Sequence, residues 1–503
     1  MTEHSALPDP HICEQARLSR DARFDGLFFT AVSSTGIYCR PVCPAPRPKR
    51  ENVCYYTNAA AAEAAGFRPC LRCRPELAPG NDWQRGDHVV ARALKLIEHG
   101  ALEDQSLDEL ATRVGVGARQ LRRLFVDRVG APPISVHTTR RLLFAKQLLT
   151  ETAMPVTEVA LASGFRSLRR FNAAFLQANR IPPRELRRHP RSAPGAALVL
   201  RLGYRPPYDF EALLTFLRGR ALPGVELVDE HSYARVFGPA DAPGWLHLSA
   251  WPDGEHALRL QLHCPHSAQL LGVVTKLRRM FDLDANPQAI ADTFQRDPVL
   301  GPLIARRPGL RLPGGWDGFE IAVRAILGQQ ISVAAARTLA TRIVHRWGEA
   351  LPISPMPGLE RLFPTPAVLA QADLREIGLT TARAATVRGM AHALLDGRVD
   401  FRAEQTLDEF VSRWIALPGI GEWTAHYMAM RALSDPDAFP AADLILRREA
   451  TTDTVPLSTK SLTVRADAWR PWRAYAVMHL WRGASDAIPP PRIPRSRKPE
   501  AIA

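Results

Sequence analysis

The chain has 503 residues, which is too many for one hydrophobic core; at about 150 residues for a typical domain, we expect three to five domains. The hydrophobic fraction of 46% suits a globular protein, and no apolar run reaches the ~18 residues of a membrane-spanning helix. The first residues also lack the basic start and apolar core of a secretion signal, so the sequence predicts a cytoplasmic protein. The formal net charge is +14, mostly from arginine, which pairs bidentately with phosphate. This favours a nucleic-acid partner over a basic surface without one.

Composition and hydrophobic periodicity divide the chain into five regions and predict a multidomain α+β protein. Residues 1–80 contain six of the seven cysteines, and residues 83–188 have apolar residues at helical spacing. After a segment rich in Pro, Ala and Arg, residues 198–290 alternate as β-strands do, and residues 291–485 return to a helical pattern. Residues 486–503 have too few apolar side chains to order themselves, so we expect a disordered tail.

Four cysteines in the first region have the spacing of a metal site: Cys39, Cys43, Cys70 and Cys73. Three residues separate the first two and two residues separate the last two. In a reducing compartment, such pairs predict one tetrahedral zinc ion rather than disulfides. A purely structural zinc ribbon is an alternative that this spacing leaves open. Cys13 and Cys54 fall outside the spacing, and we expect both to be small buried residues.

The residues around these cysteines resemble those of a known protein family. The strings TGIYCRPVC (35–43), RENVCYY (50–56) and AAGFRPCLRC (64–73) resemble the N-terminal domain of the Ada adaptive-response proteins. The resemblance implies that a zinc-bound cysteine takes a methyl group from a DNA methylphosphotriester, and it places this acceptor at Cys39.

Methylation of Cys39 removes one negative charge, so affinity for DNA phosphate should rise and a repair event becomes a signal. Arg40, Arg47 and Lys49 are candidate phosphate contacts, with solvated surface charges as the alternative.

Residues 106–133 predict a helix-turn-helix with glycines at the turn, and residues 155–183 repeat it with Gly164 at the turn. A helix at 140–149 can join the two. Paired units of this kind resemble the AraC-type DNA-binding domain, which implies two recognition helices in major grooves about 34 Å apart. The candidate base or phosphate contacts are Arg119, Gln120, Arg122, Arg123, Ser167, Arg169 and Arg170.

The string LPGIGEWTAHYMAMRAL (417–433) resembles a helix-hairpin-helix, whose turn at Gly419, Ile420 and Gly421 can bind a DNA phosphate through backbone amides. The segment AFPAADLILRR (438–448) follows at the distance typical of helix-hairpin-helix glycosylases. This resemblance implies that Asp443 is the catalytic carboxylate. An ordinary N-cap is the alternative for an Asp before a helix, and both roles can hold together.

Further strings narrow the resemblance to AlkA-type 3-methyladenine glycosylases over residues 198–485: RAILGQQISVAAA (324–336), PWRAYAVMHLWR (471–482) and the strand-rich region before them. The resemblance implies a base pocket formed by aromatic side chains, namely Trp423, Tyr427 and Trp481. It places the residue that fills the gap left by the extruded base at Gln330.

Two departures from relatives in the superfamily are informative. Glycosylases that also nick DNA carry a Schiff-base lysine at the position of Trp423, so we expect a monofunctional enzyme. Many relatives bind an iron–sulfur cluster through four late cysteines, whereas no cysteine follows Cys264 here, so we expect no such cluster.

The sequence therefore predicts a fused protein: phosphotriester sensor, AraC-type regulator and DNA-3-methyladenine glycosylase II. Its expected partners are double-stranded DNA, both alkylated and promoter DNA, and RNA polymerase as a candidate. We expect a monomer associated with the nucleoid and no membrane contact. The alternative is a transcription regulator with a structural zinc site, whose glycosylase half merely holds DNA.

Overall fold

A computed structural model describes residues 7–80, 88–187 and 197–487. The predicted tail from residue 488 onwards and most of the Pro- and Arg-rich segment lie outside the described residues. Within the described ranges, no helix is long and apolar enough to cross a membrane.

The first unit is a small four-stranded sheet with two helices. The strands lie in the order β3-β1-β2-β4, with β1 antiparallel to β2 and β3, and β2 parallel to β4. The elements are α1 (Pro10–Ser19), β1 (Phe29–Val32), β2 (Ile37–Cys39), β3 (Val53–Tyr56), α2 (Ala59–Ala64) and β4 (Arg68–Pro69). The sheet matters for function because two predicted zinc ligands adjoin it, Cys39 at the end of β2 and Cys70 directly after β4.

The second unit is all helical: α3 (His88–Glu98), α4 (Ala101–Asp104), α5 (Leu107–Arg113), α6 (Ala118–Val129), α7 (Pro133–Glu151), α8 (Val156–Ala162), α9 (Leu168–Asn179) and α10 (Pro183–Leu186). A capping box of Ser106 and Glu109 begins α5. Gly115 and Gly164 have φ of 80° and 77°, a left-handed conformation that suits glycine in both tight turns. The structure confirms the two predicted helix-turn-helix units, α5–α6 and α8–α9, joined by α7.

The third unit is an antiparallel five-stranded sheet in the order β5-β9-β8-β7-β6. Its elements are β5 (Leu198–Gly203), α11 (Phe210–Arg218), β6 (Glu226–Val228), β7 (Ser232–Phe237), β8 (Gly244–Ala250), β9 (Ala257–His263), α12 (Leu270–Met280) and α13 (Pro287–Phe294). The predicted strands are confirmed, but this region already turns helical at Leu270. The buried side chains Leu270, Val273, Val274 and Leu277 recur at helical spacing, which explains why this segment forms a helix rather than a strand.

The fourth unit is a helical body around the buried tryptophans Trp414, Trp469 and Trp472. Its helices are α14 (Leu300–Arg306), α15 (Gly318–Leu327), α16 (Val333–Trp347), α17 (Pro366–Gln371), α18 (Thr381–Leu395), α19 (Leu407–Ile415), α20 (Glu422–Ala432), α21 (Leu444–Glu449), α22 (Thr459–Ala466) and α23 (Arg473–Ala487).

The units pack against one another. Phe171 and Phe175 of α9 belong to the same buried cluster as Leu200 and Leu260 of the five-stranded sheet. On another side, Arg113 of α5 forms an ion pair of 2.9 Å with Glu404 of the helical unit. The second helix-turn-helix therefore shares a core with the sheet, while the first contacts the helical unit.

Arg205 joins the first and third units. Its side chain is fully buried, and Nε donates to the carbonyl oxygen of Asp25 at 2.8 Å. The two terminal nitrogens donate to the carbonyls of Pro79, Gly80, Asp284 and Ala285. A buried guanidinium with so many carbonyl partners fixes the position of the cysteine-containing unit on the sheet unit.

We predict that Arg205→Met lowers the midpoint of thermal unfolding by roughly 5–10 °C, because it leaves several buried carbonyls without a donor. Arg218→Met is the matched control, since its side chain is 45% exposed. Differential scanning calorimetry on the full chain measures both. Equal midpoints for the two variants would contradict a docking role for Arg205.

Candidate functional site

The four predicted zinc ligands converge at one end of the small sheet. The sulfur atoms of Cys39, Cys43, Cys70 and Cys73 all lie within 4.8 Å of one another. Sulfurs at ~2.3 Å from a tetrahedral zinc ion are about 3.8 Å apart, so the cluster fits this ion. Backbone N–H groups of Arg40 and Arg72 donate to the sulfurs of Cys73 and Cys70, each at 3.3 Å, which suits thiolates. This donor set holds one zinc ion.

The ligands differ in exposure. Cys70 and Cys73 are only 5% and 6% exposed, whereas Cys39 and Cys43 are half-buried. Of the two half-buried ligands, Cys39 is the residue that the sequence predicts as methyl acceptor. The exposure therefore leaves Cys39 within reach of an external group while Cys70 and Cys73 stay inside.

Two expectations around this site are wrong. Arg40 is not available for phosphate, because its side chain is only 15% exposed, and its guanidinium is paired with the carboxylate of Asp25 and donates to the carbonyl of Cys73 at 3.0 Å. Cys54 is exposed rather than buried, since β3 is an edge strand and side chains alternate along it. Arg47 and Lys49 are exposed, as a phosphate contact requires.

Cys13 is fully buried as predicted. Burial raises the pKa of its thiol to about 12, so it stays protonated.

The predicted DNA-contacting side chains of the helix-turn-helix units lie on the outside. All four candidates on α6 and both arginines at the start of α9 are exposed: Arg119, Gln120, Arg122, Arg123, Arg169 and Arg170. Ser167 instead caps α9, because its hydroxyl accepts the N–H of Arg170. Both recognition helices thus present their basic ends to solvent.

Asp443 lies at the centre of the second candidate site. It is the N-cap of α21, and its Oδ1 accepts the N–H of Leu446 at 3.0 Å. The indole N–H of Trp423 donates to Oδ2 at 3.0 Å, and that of Trp481 donates to Oδ1 at 3.3 Å. Three donors from three elements fix this half-buried carboxylate in one orientation.

The aromatic residues of the predicted pocket surround this carboxylate. Trp423 and Tyr427 are four residues apart on α20, so their rings share a face and stack at 5.3 Å with an angle of 9°. The ring of Trp481, on α23, lies 6.3 Å from that of Tyr427. The structure thus brings together the three aromatic rings and the carboxylate that the sequence predicts.

Three further residues adjoin this pocket and were missed from the sequence. Arg431 donates to the hydroxyl of Tyr427 at 3.0 Å, and Arg220 lies 3.7 Å above the ring of Phe216. Arg431 also lies 4.7 Å over Phe216. Burial alone would raise the pKa of Tyr427, but Arg431 and Arg220 outweigh it and lower this pKa.

Arg431 could have been inferred, because it lies one helical turn beyond Tyr427. Phe216 lies in α11 and Arg220 lies two residues after its end, both in another unit, and no local pattern connects them to the pocket.

The predicted hairpin and gap-filling residue also have distinctive backbones. Gly419 has a φ of 84°, and a Cβ there would lie 2.1 Å from Oγ1 of Thr386, so only glycine fits. Gly419 and Gly421 are exposed, while Ile420 is buried beneath them. Gln330 is exposed with a φ of 57°, an unusual conformation for a side chain of this type.

Comparisons with known proteins agree with this organisation. Four family models match the chain: the metal binding domain of Ada at 12–76, a helix-turn-helix domain at 110–189, the AlkA N-terminal domain at 199–317 and the HhH-GPD superfamily of base excision DNA repair proteins at 323–474.

Three curated relatives cover the chain to different extents. A probable bifunctional transcriptional activator/DNA repair enzyme AlkA of Mycobacterium tuberculosis is 39% identical over 477 residues, 93% of this chain and 95% of the relative. DNA-3-methyladenine glycosylase 2 of Escherichia coli is 37% identical over 286 residues, 56% of this chain and 95% of the relative. The bifunctional transcriptional activator/DNA repair enzyme Ada of Escherichia coli is 38% identical over 151 residues, 30% of this chain and 41% of the relative. The chain therefore belongs to the family of bifunctional transcriptional activators and DNA repair enzymes that join an Ada-type metal-binding domain to an AlkA-type DNA glycosylase.

Proposed function

We propose that this chain removes alkylated purines such as 3-methyladenine from double-stranded DNA, with Asp443 as the catalytic carboxylate. The observation that carries this proposal is the triad of N–H donors that holds Asp443 against the aromatic rings. An N-cap needs only the bond to Leu446. The two indole bonds orient the carboxylate beside three aromatic rings, which a purely structural cap does not require.

The chemistry follows from the substrate. The base must leave the stack, which costs a few kcal/mol, and an N3-alkylated purine then enters the pocket as a cation. The electron-rich faces of Trp423, Tyr427 and Trp481 favour a cationic base over a neutral one. Because that base is already a good leaving group, it needs no general acid. Asp443 stabilises the positive charge that develops on the sugar, or orients the attacking water.

The product is an abasic site in an intact strand. Strand cleavage by related enzymes requires an amine that forms a Schiff base with the sugar. Trp423 occupies the corresponding position, and its indole N–H donates a hydrogen bond to Asp443. We therefore assign the enzyme as monofunctional.

The Ada-type unit is the sensor in this proposal. The zinc ion that the four residues would hold keeps their thiols deprotonated near neutral pH. The sulfur of Cys39 bonds to the methyl carbon of a methylphosphotriester, and the carbon–oxygen bond breaks. Its electron pair stays on the oxygen, which leaves an ordinary phosphodiester anion in the DNA. The protein keeps the methyl group, so each chain reacts once.

Contacts between the zinc site and the helix-turn-helix domain support a signalling role. Lys146 of α7 donates to the carbonyl of Cys70 at 3.2 Å, directly at a ligand. Arg180, at the end of α9, donates to the carbonyl of Gly66 at 3.5 Å. A change of charge at the zinc ligands therefore occurs close to the second recognition helix.

Promoter DNA and RNA polymerase are the further partners we assign to this regulator. We propose that it acts as a monomer in the cytoplasm, at the nucleoid.

The first test of this function is Asp443→Asn. The uncharged amide cannot offset the charge on the sugar, so release of free 3-methyladenine from methylated DNA should fall by roughly 100-fold or more. DNA affinity should stay within a factor of a few. Asp453→Asn, at an exposed position, is the control and should behave as wild type. Chromatography of the released bases and a denaturing gel of the DNA provide the measurements. Excision at the wild-type rate would remove Asp443 from the mechanism, and prompt nicking would refute monofunctional chemistry.

The second test concerns Cys39. After incubation with methylphosphotriester DNA, peptide mass spectrometry should find one methyl group, on Cys39. Cys39→Ser should lose both methyl uptake and the rise in promoter affinity, because serine provides no thiolate, while base release persists. Cys54→Ser is the matched control, since Cys54 is an exposed thiol outside the cluster. A methyl group on Cys43, Cys70 or Cys73 would overturn the assignment, and no methyl on any cysteine would reduce the site to a structural zinc.

A further inference from the structure

Gln329 connects the two loops of the glycosylase unit that the sequence predicts to contact DNA, the hairpin and the loop of Gln330. It lies in the segment between α15 and α16, directly before Gln330. Its side-chain amide donates to the carbonyl of Gly419 in the hairpin at 3.0 Å, and also to Oγ1 of Thr424 at 3.0 Å. One –NH2 group thus reaches the hairpin turn and the first turn of the helix that follows it.

The main chain at Gln329 is held as well. Its carbonyl oxygen accepts a hydrogen bond of 2.7 Å from Arg383, at the start of α18. The next residue, Gln330, is exposed in the left-handed region with a φ of 57°. A residue without glycine's freedom keeps such a conformation only where its surroundings impose it. The bonds made by Gln329 are the nearest interactions that can do so.

We propose that Gln329 is a positioning residue for base extrusion, which holds the gap-filling Gln330 at a fixed distance from the phosphate-binding hairpin. The inference rests on the proposed function. The hairpin fixes one phosphate of the duplex, so the gap left by the extruded base lies at a set distance from it. Gln330 fills that gap only if its loop stays at that distance from the hairpin.

The chemistry of an amide suits this task. Gly419 offers a carbonyl oxygen and Thr424 a hydroxyl oxygen, so a group with two N–H bonds satisfies both at once. A carboxylate of the same shape would repel the carbonyl, and an apolar side chain of the same length would leave both oxygens unpaired. Misplacement of a functional group by about 1 Å can cost up to 100-fold in rate, so loss of this link should appear in catalysis.

The test compares Gln329→Met, which keeps length but removes the donors, with Gln329→Glu, which keeps shape but replaces the donors. Single-turnover base release should fall between tenfold and 100-fold in both, and Gln329→Glu should be the slower. The fluorescence of 2-aminopurine beside the lesion, which reports extrusion, should fall in parallel. Affinity for undamaged duplex should not change, and loss of the two hydrogen bonds should lower the midpoint of thermal unfolding by only about 2–4 °C, so the protein stays folded at the assay temperature. Gln288→Met is the control, since Gln288 is an exposed glutamine on α13.

A double-mutant cycle with Thr424→Val tests the bond itself. If Gln329 acts through Thr424, the double variant should be less impaired than the product of the two single effects. Wild-type extrusion by Gln329→Met, or a loss that follows its thermal stability, would overturn the positioning role. If the wild-type protein releases no base, the proposed function fails, and the 2-aminopurine signal still decides the role of Gln329 separately.

Discussion

The hydrogen bonds to the carboxylate of Asp443 are the constraint on which the catalytic account depends. Its three donors come from α20, α21 and α23, so all three helices must dock correctly before the carboxylate is oriented. The same indoles form the walls of the pocket, which ties the position of the charge to the position of the base. Arg431 donates to the hydroxyl of Tyr427, and the charges of Arg431 and Arg220 lower the pKa of that hydroxyl. In the proposed mechanism, substrate selection and charge stabilisation thus share one set of side chains.

The position of the regulatory half likewise depends on defined contacts between the units. Arg205 fixes the zinc-binding unit on the sheet unit, and the second helix-turn-helix shares a core with that sheet. Arg40 lies next to the acceptor Cys39 and is paired with Asp25, whose carbonyl accepts from Arg205. The sensor is therefore in continuous contact with both the DNA-binding domain and the glycosylase half, although its chemistry is separate from theirs.

Local patterns predicted much of this structure. Cysteine spacing, glycines at turns and alternation along strands identified the zinc cluster, both helix-turn-helix units and the strand-rich region, because each depends on neighbours in sequence. Burial by other units was not predictable from such patterns. Arg40 was expected on the surface and is instead paired with Asp25, while Phe216 and Arg220 reach the pocket from α11 and the segment after it, some 200 residues earlier in the chain. The role of Gln329 was likewise hidden, since its partners lie about 90 residues away.

We propose that Asp443 stabilises positive charge on the sugar, and this role can be measured by the binding of charged and neutral abasic analogues. Duplex DNA with a pyrrolidine nucleotide carries a cation near the position of the reacting carbon, whereas tetrahydrofuran DNA has the same shape without charge. We expect the wild-type protein to bind the pyrrolidine duplex at least roughly tenfold more tightly than the tetrahydrofuran duplex, and Asp443→Asn to abolish this preference. An equal preference in both proteins would contradict it.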